Sequence, residues 1–124
     1  MIKFVLDTYA ILGFIDGNPK YKEYLNNEIS ITTAFNMMEV YYKMLKKFDE
    51  ESAEHVYDTL LLFEHHIEHE TIKNAMKKRL KLKSEGKDIS YVDAIGYQLA
   101  IELGAKFVTG DKEFEKLENV LFIK

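Results

Sequence analysis

The chain contains no cysteine and no tryptophan, a single proline and only six glycines among its 124 residues. Without cysteine there is no disulfide scaffold, no thiolate-ligated zinc or iron–sulfur centre and no thiol nucleophile. So little proline and glycine excludes linkers and low-complexity segments. Long apolar runs are missing too: stretches such as Thr59 to Phe63 fall far short of the roughly 20 residues that a membrane span needs. The opening run from Ile2 meets a charge at Asp7, unlike a secretory leader. Also absent are G-x-x-x-x-G-K-[ST], G-x-G-x-x-G and G-x-S-x-G, so nucleotide-loop and serine-hydrolase readings lack their defining residues. What is present is globular: 47% hydrophobic and 31% charged residues. One domain over residues 1–124 is expected, cytoplasmic and away from membranes.

Charge is unevenly distributed. The chain has 21 acidic and 17 basic residues, net −4. Lys73 to Lys87 holds seven basic residues and one acidic one, so the remainder is strongly acidic. Such a run is commonly a solvated helix face, but it also attracts phosphate.

The hydrophobic pattern predicts strands at Ile2–Leu6, Glu28–Thr32, Lys106–Thr109 and Asn119–Ile123. It predicts helices at Thr8–Asp16, Lys20–Asn26, Ala34–Phe48, Glu50–Glu64, Thr71–Lys83, Tyr91–Leu103 and Asp111–Leu117. Thr33, Asp49 and Ser90 are expected N-caps, Gly17-Asn18-Pro19 a stop, and Gly104 a C-terminal cap. The apolar stripe expected on the third helix is Ala34, Met37, Met38, Tyr41, Met44, Leu45 and Phe48. Residues His65–His69 fit either a loop or a short strand. Short apolar strands alternating with helices imply an α/β fold: a mainly parallel, Rossmann-like sheet of four or five strands flanked by helices.

In such sheets ligands bind beyond the carboxyl ends of the strands. Asp7 ends the first strand, and Asp111 follows Thr109 by one glycine. Each has an alternative reading as a helix N-cap. Asp93, three residues after Ser90, fits a capping box, yet Ala94, Ile95 and Gly96 make that helix start look closely packed. Glu39 reads by periodicity as a surface glutamate. His55, His65, His66 and His69 invite a zinc reading, but no cysteine and no His-Glu-x-x-His pattern supports it. The Asp7-Thr8-Tyr9 strand end has Tyr9 where an Asp-x-Asp phosphatase needs its second aspartate.

If Asp7, Glu39, Asp93 and Asp111 meet, they repel one another and their pKa values rise unless cations intervene. Hard oxygen donors without histidine or cysteine select Mg²⁺ or Mn²⁺. Such ions activate water and neutralise charge on a phosphodiester, which points to metal-assisted phosphodiester hydrolysis. Lys73, Lys77 and Lys81, at i, i+4 spacing, are candidates for holding the substrate backbone.

These residues sit in segments that together resemble a known family. FVLDTYAIL, TTAFNMMEVYY and DISYVDAIGYQLAIELGAKFVTGDKEF are similar, in order and context, to the motifs of PIN domains, and within them of VapC-like toxin ribonucleases. Each motif is weak alone; four in order, ending in VTGDKEF with Phe114 in the expected place, are specific. The resemblance spans Met1 to Phe114, although Phe48 to Glu85 matches only in helical character and the histidine cluster has no counterpart. It implies a Mg²⁺- or Mn²⁺-dependent endoribonuclease, often a homodimer, and for toxin members a small antitoxin that blocks the site. By this resemblance Glu39 joins the site. Asp7 and Asp93 become the direct metal ligands, with Asp111 and Glu39 completing the site or acting through water. The hydroxyls of Thr8 and Thr109 support the acids. Two other readings stay open: a non-catalytic PIN-like module that binds RNA or protein, and a DNA-directed nuclease.

Overall fold

A computed structural model describes all 124 residues. Four short strands, β1 (Phe4–Leu6), β2 (Ser30–Ile31), β3 (Lys106–Thr109) and β4 (Val120–Phe122), form one sheet in the order β2-β1-β3-β4. Every pairing is parallel. Five α-helices surround it: α1 (Thr8–Ile15), α2 (Ala34–Lys47), α3 (Glu50–Leu60), α4 (His69–Ser84) and α5 (Tyr91–Leu103). Single 3₁₀ segments occupy Pro19–Tyr24, Leu61–Phe63 and Lys112–Phe114. No helix is long and apolar enough to cross a membrane.

Alternation along each strand builds two cores. Val5 and Phe107 point to the face covered by α4 and α5, with Ile95, Leu99 and Phe114. Leu6 and Val108 point to the opposite face, with Ile11, Met37, Val40 and Leu60. Strands buried on both faces must be continuously apolar, as FVL and FVT nearly are.

The strand order places β1 in the interior, with its neighbours β2 and β3 reached on opposite sides. The chain leaves β1 through Asp7 into α1 and leaves β3 through Gly110 and Asp111. Between those two carboxyl ends lies a topological switch point, where open α/β sheets leave a crevice. Helix α5 runs down to the start of β3, so its N-terminal turn, with Asp93, stands at that same end.

Expected elements and observed ones differ at their margins. Glu50–Glu64 stops as α-helix at Leu60 and tightens into the 3₁₀ turn. Glu64 then bridges Thr32 in parallel, extending the sheet edge by a single pair. The basic helix begins at His69, two residues earlier than its pattern predicts. The Asp111–Leu117 helix is only the 3₁₀ turn Lys112–Phe114.

The stripe expected on α2 needs correction. The buried residues are Asn36, Met37, Val40 and Met44, while Met38, Leu45 and Phe48 are exposed. Met37 and Met44 of the expected stripe are buried and Tyr41 packs against the core, but Ala34 is exposed as well and the buried face is turned toward Val40 and Asn36, whose amide accepts from Thr33 and donates to Thr8.

Candidate active site

Asp7 fills both of its readings at once. It is the N-cap of α1, in extended backbone conformation, and its Oδ1 accepts from the Ala10 N–H at 2.6 Å. It is also only 1% exposed at the base of a cleft. Burial pushes its carboxyl up to about 8, helped by the like charges of Asp93 and Asp111. The Thr109 side chain and the Ala10 N–H favour the anion but do not offset that burial.

Glu39 is held from below by a relay of buried polar groups. The Thr33 hydroxyl donates to Asn36 Oδ1 at 2.7 Å. Asn36 Nδ2 donates to Thr8 Oγ1 at 3.1 Å, and Thr8 Oγ1 donates to Glu39 Oε1 at 2.6 Å. Each donor fixes the direction of the next, so one Glu39 oxygen is occupied and the carboxylate is oriented. Thr33 also caps α2, taking the Asn36 N–H at 3.2 Å. Glu39 is therefore no free surface residue; Asn36, three residues earlier on the same helix, is what the sequence reading passed over. Its signal was a polar residue at i−3 from an acid, on a helix entered directly from a buried strand.

Asp93 lies in the first turn of α5, where Ser90 caps the helix by accepting the Asp93 N–H at 3.0 Å. Its carboxyl is pushed up to about 6 by burial first, then by Asp111 and Glu39. Close packing at this helix is real: Gly96 meets the Phe107 ring so tightly that a Cβ would fall 2.8 Å from Cε1. Asp111 donates its backbone N–H to Thr109 Oγ1 at 3.0 Å and accepts from the Glu113 N–H at 3.0 Å. Thr109 is fully buried, so its hydroxyl anchors the turn that presents Asp111.

The four acids line one cleft of about 200 Å³, with Thr8, Tyr9, Leu12, Ser90 and Lys43. Lys43 is its sole cation, one helical turn beyond Glu39. Tyr9, Ser90 and Lys43 were not singled out from the sequence as site residues. No three of the chain's acidic or histidine side chains gather tightly enough to enclose an ion by themselves. Histidines lie elsewhere: His65 Nδ1 sits 2.8 Å from the His66 carbonyl, and His66 faces Glu68 on the surface. Nor do the lysines of the basic stripe reach the cleft. Lys73 pairs with Glu70 at 2.8 Å, while Lys77 and Lys81 border a shallow depression beside Gln98 and Ile101, further along α5.

The family model described as PIN domain matches residues 4–120. The chain is a PIN domain. Solved structures similar to this PIN domain include DNA-bound VapBC from Salmonella typhimurium, with TM-score 0.80, 21% identity and coverage of 99% of this chain and 98% of that one. VapC20 from Mycobacterium tuberculosis, described as a sarcin-ricin loop cleaving toxin, is similar at TM-score 0.76 and 15% identity, covering 98% and 99%. DNA-bound VapBC2 from Rickettsia felis has TM-score 0.76 and 21% identity, covering 99% and 98%. No curated protein sequence matches the chain. Its structural neighbours are thus VapC toxins of toxin–antitoxin complexes, and the parallel four-stranded α/β fold is theirs.

Proposed function

We propose that this PIN domain is a divalent-metal-dependent endoribonuclease that hydrolyses RNA phosphodiesters, and that it serves as the toxin of a toxin–antitoxin pair. The observation that carries the reading is the convergence of Asp7, Glu39, Asp93 and Asp111, from four separate elements, on one solvent-open cleft. Buried carboxylates that raise one another's pKa are costly to a fold, and perturbed acids in a cleft mark functional sites.

The residues fit Mg²⁺ or Mn²⁺ by chemistry. All the candidate donors are hard oxygens, with no histidine or sulfur among them. Mg²⁺ keeps several waters and uses one or two carboxylates, which suits acids too widely set to cage an ion directly. Asp7 and Asp93 would hold the ion, with Asp111 and Glu39 completing the site or acting through water. When bound, such an ion acidifies an attached water and neutralises charge developing on the phosphate. The chain's own groups do the rest. Glu39, oriented through Thr8, has one oxygen free to accept a proton from an attacking water. Thr109 steadies the Asp111 turn. Lys43 offers an ammonium to the phosphodiester at the rim. An open cleft at the carboxyl ends of the strands suits single-stranded or loop RNA, whose backbone is accessible.

The VapBC complexes among the structural neighbours support an antitoxin partner. The exposed side chains of Met38, Tyr42, Leu45 and Phe48 on α2 supply apolar surface for a second copy of the chain. The alternative is a non-catalytic RNA- or protein-binding module, which would need no bound metal.

The deciding experiment is cleavage of a pool of structured RNAs with Mg²⁺, with Mn²⁺ and with chelator, beside Asp7→Asn and Asp93→Asn. Activity that needs metal and falls by at least about a hundredfold in each folded variant supports the nuclease. A soluble Asp93→Asn protein with full metal-dependent cleavage would sink it. Failure of the wild type to bind metal favours the binding module.

A further inference from the structure

Helices α1 and α2 lie side by side and run in the same direction. They are tied near their starts by Thr8 to Glu39 at 2.6 Å and at their ends by Lys47 to Asp16 at 2.8 Å. Between those ties the acid cleft continues into a second depression of about 400 Å³. The two share Tyr9, Leu12 and Lys43, so they form one trough.

Tyr9 dominates the shared rim. It is 56% exposed. It is also held in place. Its ring rests on the backbone at Gly110, the residue between Thr109 and Asp111, where a Cβ would fall 2.6 Å from Tyr9 Cδ1 and 2.9 Å from the Tyr21 hydroxyl. Only glycine lets the ring lie there. One side is thus packed against the turn that presents Asp111, and the rest is left to solvent. Lys43 is the one cation lining either depression, and it makes no ion pair. At the far end, Asn18 Oδ1 accepts from the Lys20 N–H at 3.0 Å, which leaves its amide NH₂ free beside Asp16.

We propose that Tyr9 is a stacking platform for an unpaired nucleobase next to the scissile phosphate, with Lys43 holding the adjoining phosphate. A rigid, half-exposed ring and one unpaired ammonium at the edge of an acid site form the minimal recognition unit for a single-stranded nucleotide. A base within a duplex is already stacked and cannot reach the ring. The free amide of Asn18 can hydrogen-bond the edge of the stacked base. The proposal rests on the nuclease reading of the cleft, but it is tested by binding rather than by cleavage.

The test uses the Asp93→Asn protein with Mg²⁺, so that RNA stays intact, and a short single-stranded oligoribonucleotide beside an abasic chain of equal length. Tyr9→Ala is expected to weaken RNA binding about tenfold, while Tyr9→Phe stays close to the parent. On the abasic chain the Tyr9→Ala penalty disappears. Lys43→Ala lowers the slope of log affinity against log salt by about 0.7. Because the chain has no tryptophan, Tyr9→Trp installs a sole indole, whose fluorescence is quenched by the RNA and unchanged by the abasic chain. If Tyr9→Ala binds RNA as the parent does, or the indole is silent while RNA binds, the stacking subsite is wrong and the nuclease reading stands. If neither these variants nor the wild-type protein binds RNA, both readings fail.

Discussion

Asp7 carries the largest electrostatic cost in the molecule and gives it a measurable pH signature. Its folded-state pKa, raised to about 8 from 3.8, means that the folded protein holds this proton more tightly than the unfolded chain does. The resulting stability is fully present below pH 4 and is lost as pH rises through 8. In chelator, Asp7→Asn should therefore raise the melting temperature at pH 8 by on the order of 5 °C and do little at pH 4. Asparagine keeps the N-cap, so the difference reports the charge. Mg²⁺ should raise the wild-type melting temperature at pH 8 and affect the variant less; thermal melts at both pH values check each point. Asn36 makes the complementary case. Its amide is buried and satisfied from both sides, so Asn36→Ala should cost about 1–3 kcal/mol of stability. It should also slow cleavage, because Thr8 loses the donor that aims its own hydroxyl at Glu39. A fall in kcat with little change in KM identifies loss of positioning.

Among the elements, α5 shows how packing and site geometry are coupled. Ser90 caps it, Gly104 closes it at φ 67°, and Gly96 lets it approach Phe107. Phe107 in turn stacks edge-on with Tyr97 and Phe114 at 6.0 and 5.0 Å. Adding one methyl at Gly96 must displace either the Phe107 ring or the helix that carries Asp93. Gly96→Ala should destabilise the fold by about 1–3 kcal/mol and reduce metal affinity, measured by denaturant unfolding and by metal titration. The α4–α5 loop is pinned separately. Arg79 Nε donates to the Ile89 carbonyl at 2.9 Å, and its guanidinium lies 4.3 Å from the Tyr91 ring centroid. Those contacts tie the α5 N-terminus to α4.

Across the whole molecule, charge is segregated. The acids of the cleft sit at one end of the sheet, while the exposed lysines of α4 lie along its flank. On the proposed function, a substrate long enough to span both would meet attraction on the flank and hydrolysis in the cleft. Lys77→Ala with Lys81→Ala should leave cleavage of a short oligonucleotide unchanged. For long RNA it should lower the slope of log affinity against log salt by about 1.4; filter binding across a salt series reads this. Lys73 contributes least, because Glu70 already neutralises it.

The sequence by itself determined the order of elements, the parallel α/β class, the helix caps at Thr33, Asp49 and Ser90, and the position of Asp7 and Asp111 at strand ends. These are local properties, set by hydrophobic period, cap chemistry and turn residues within a few positions of one another. It also carried the family, because four short motifs kept their order. Tertiary structure alone decided which face of α2 is buried, since Asn36 is tolerated inside only because Thr8, from another element, satisfies it. The same holds for the raised pKa values of Asp7 and Asp93, which come from burial and from charges far away in sequence. Tyr9 and Lys43 belong to the trough because α1 and α2 lie side by side, and the basic stripe falls outside it because α4 packs along the flank of α5. Local free energies are written along the chain; desolvation and charge proximity exist only once distant segments share one volume.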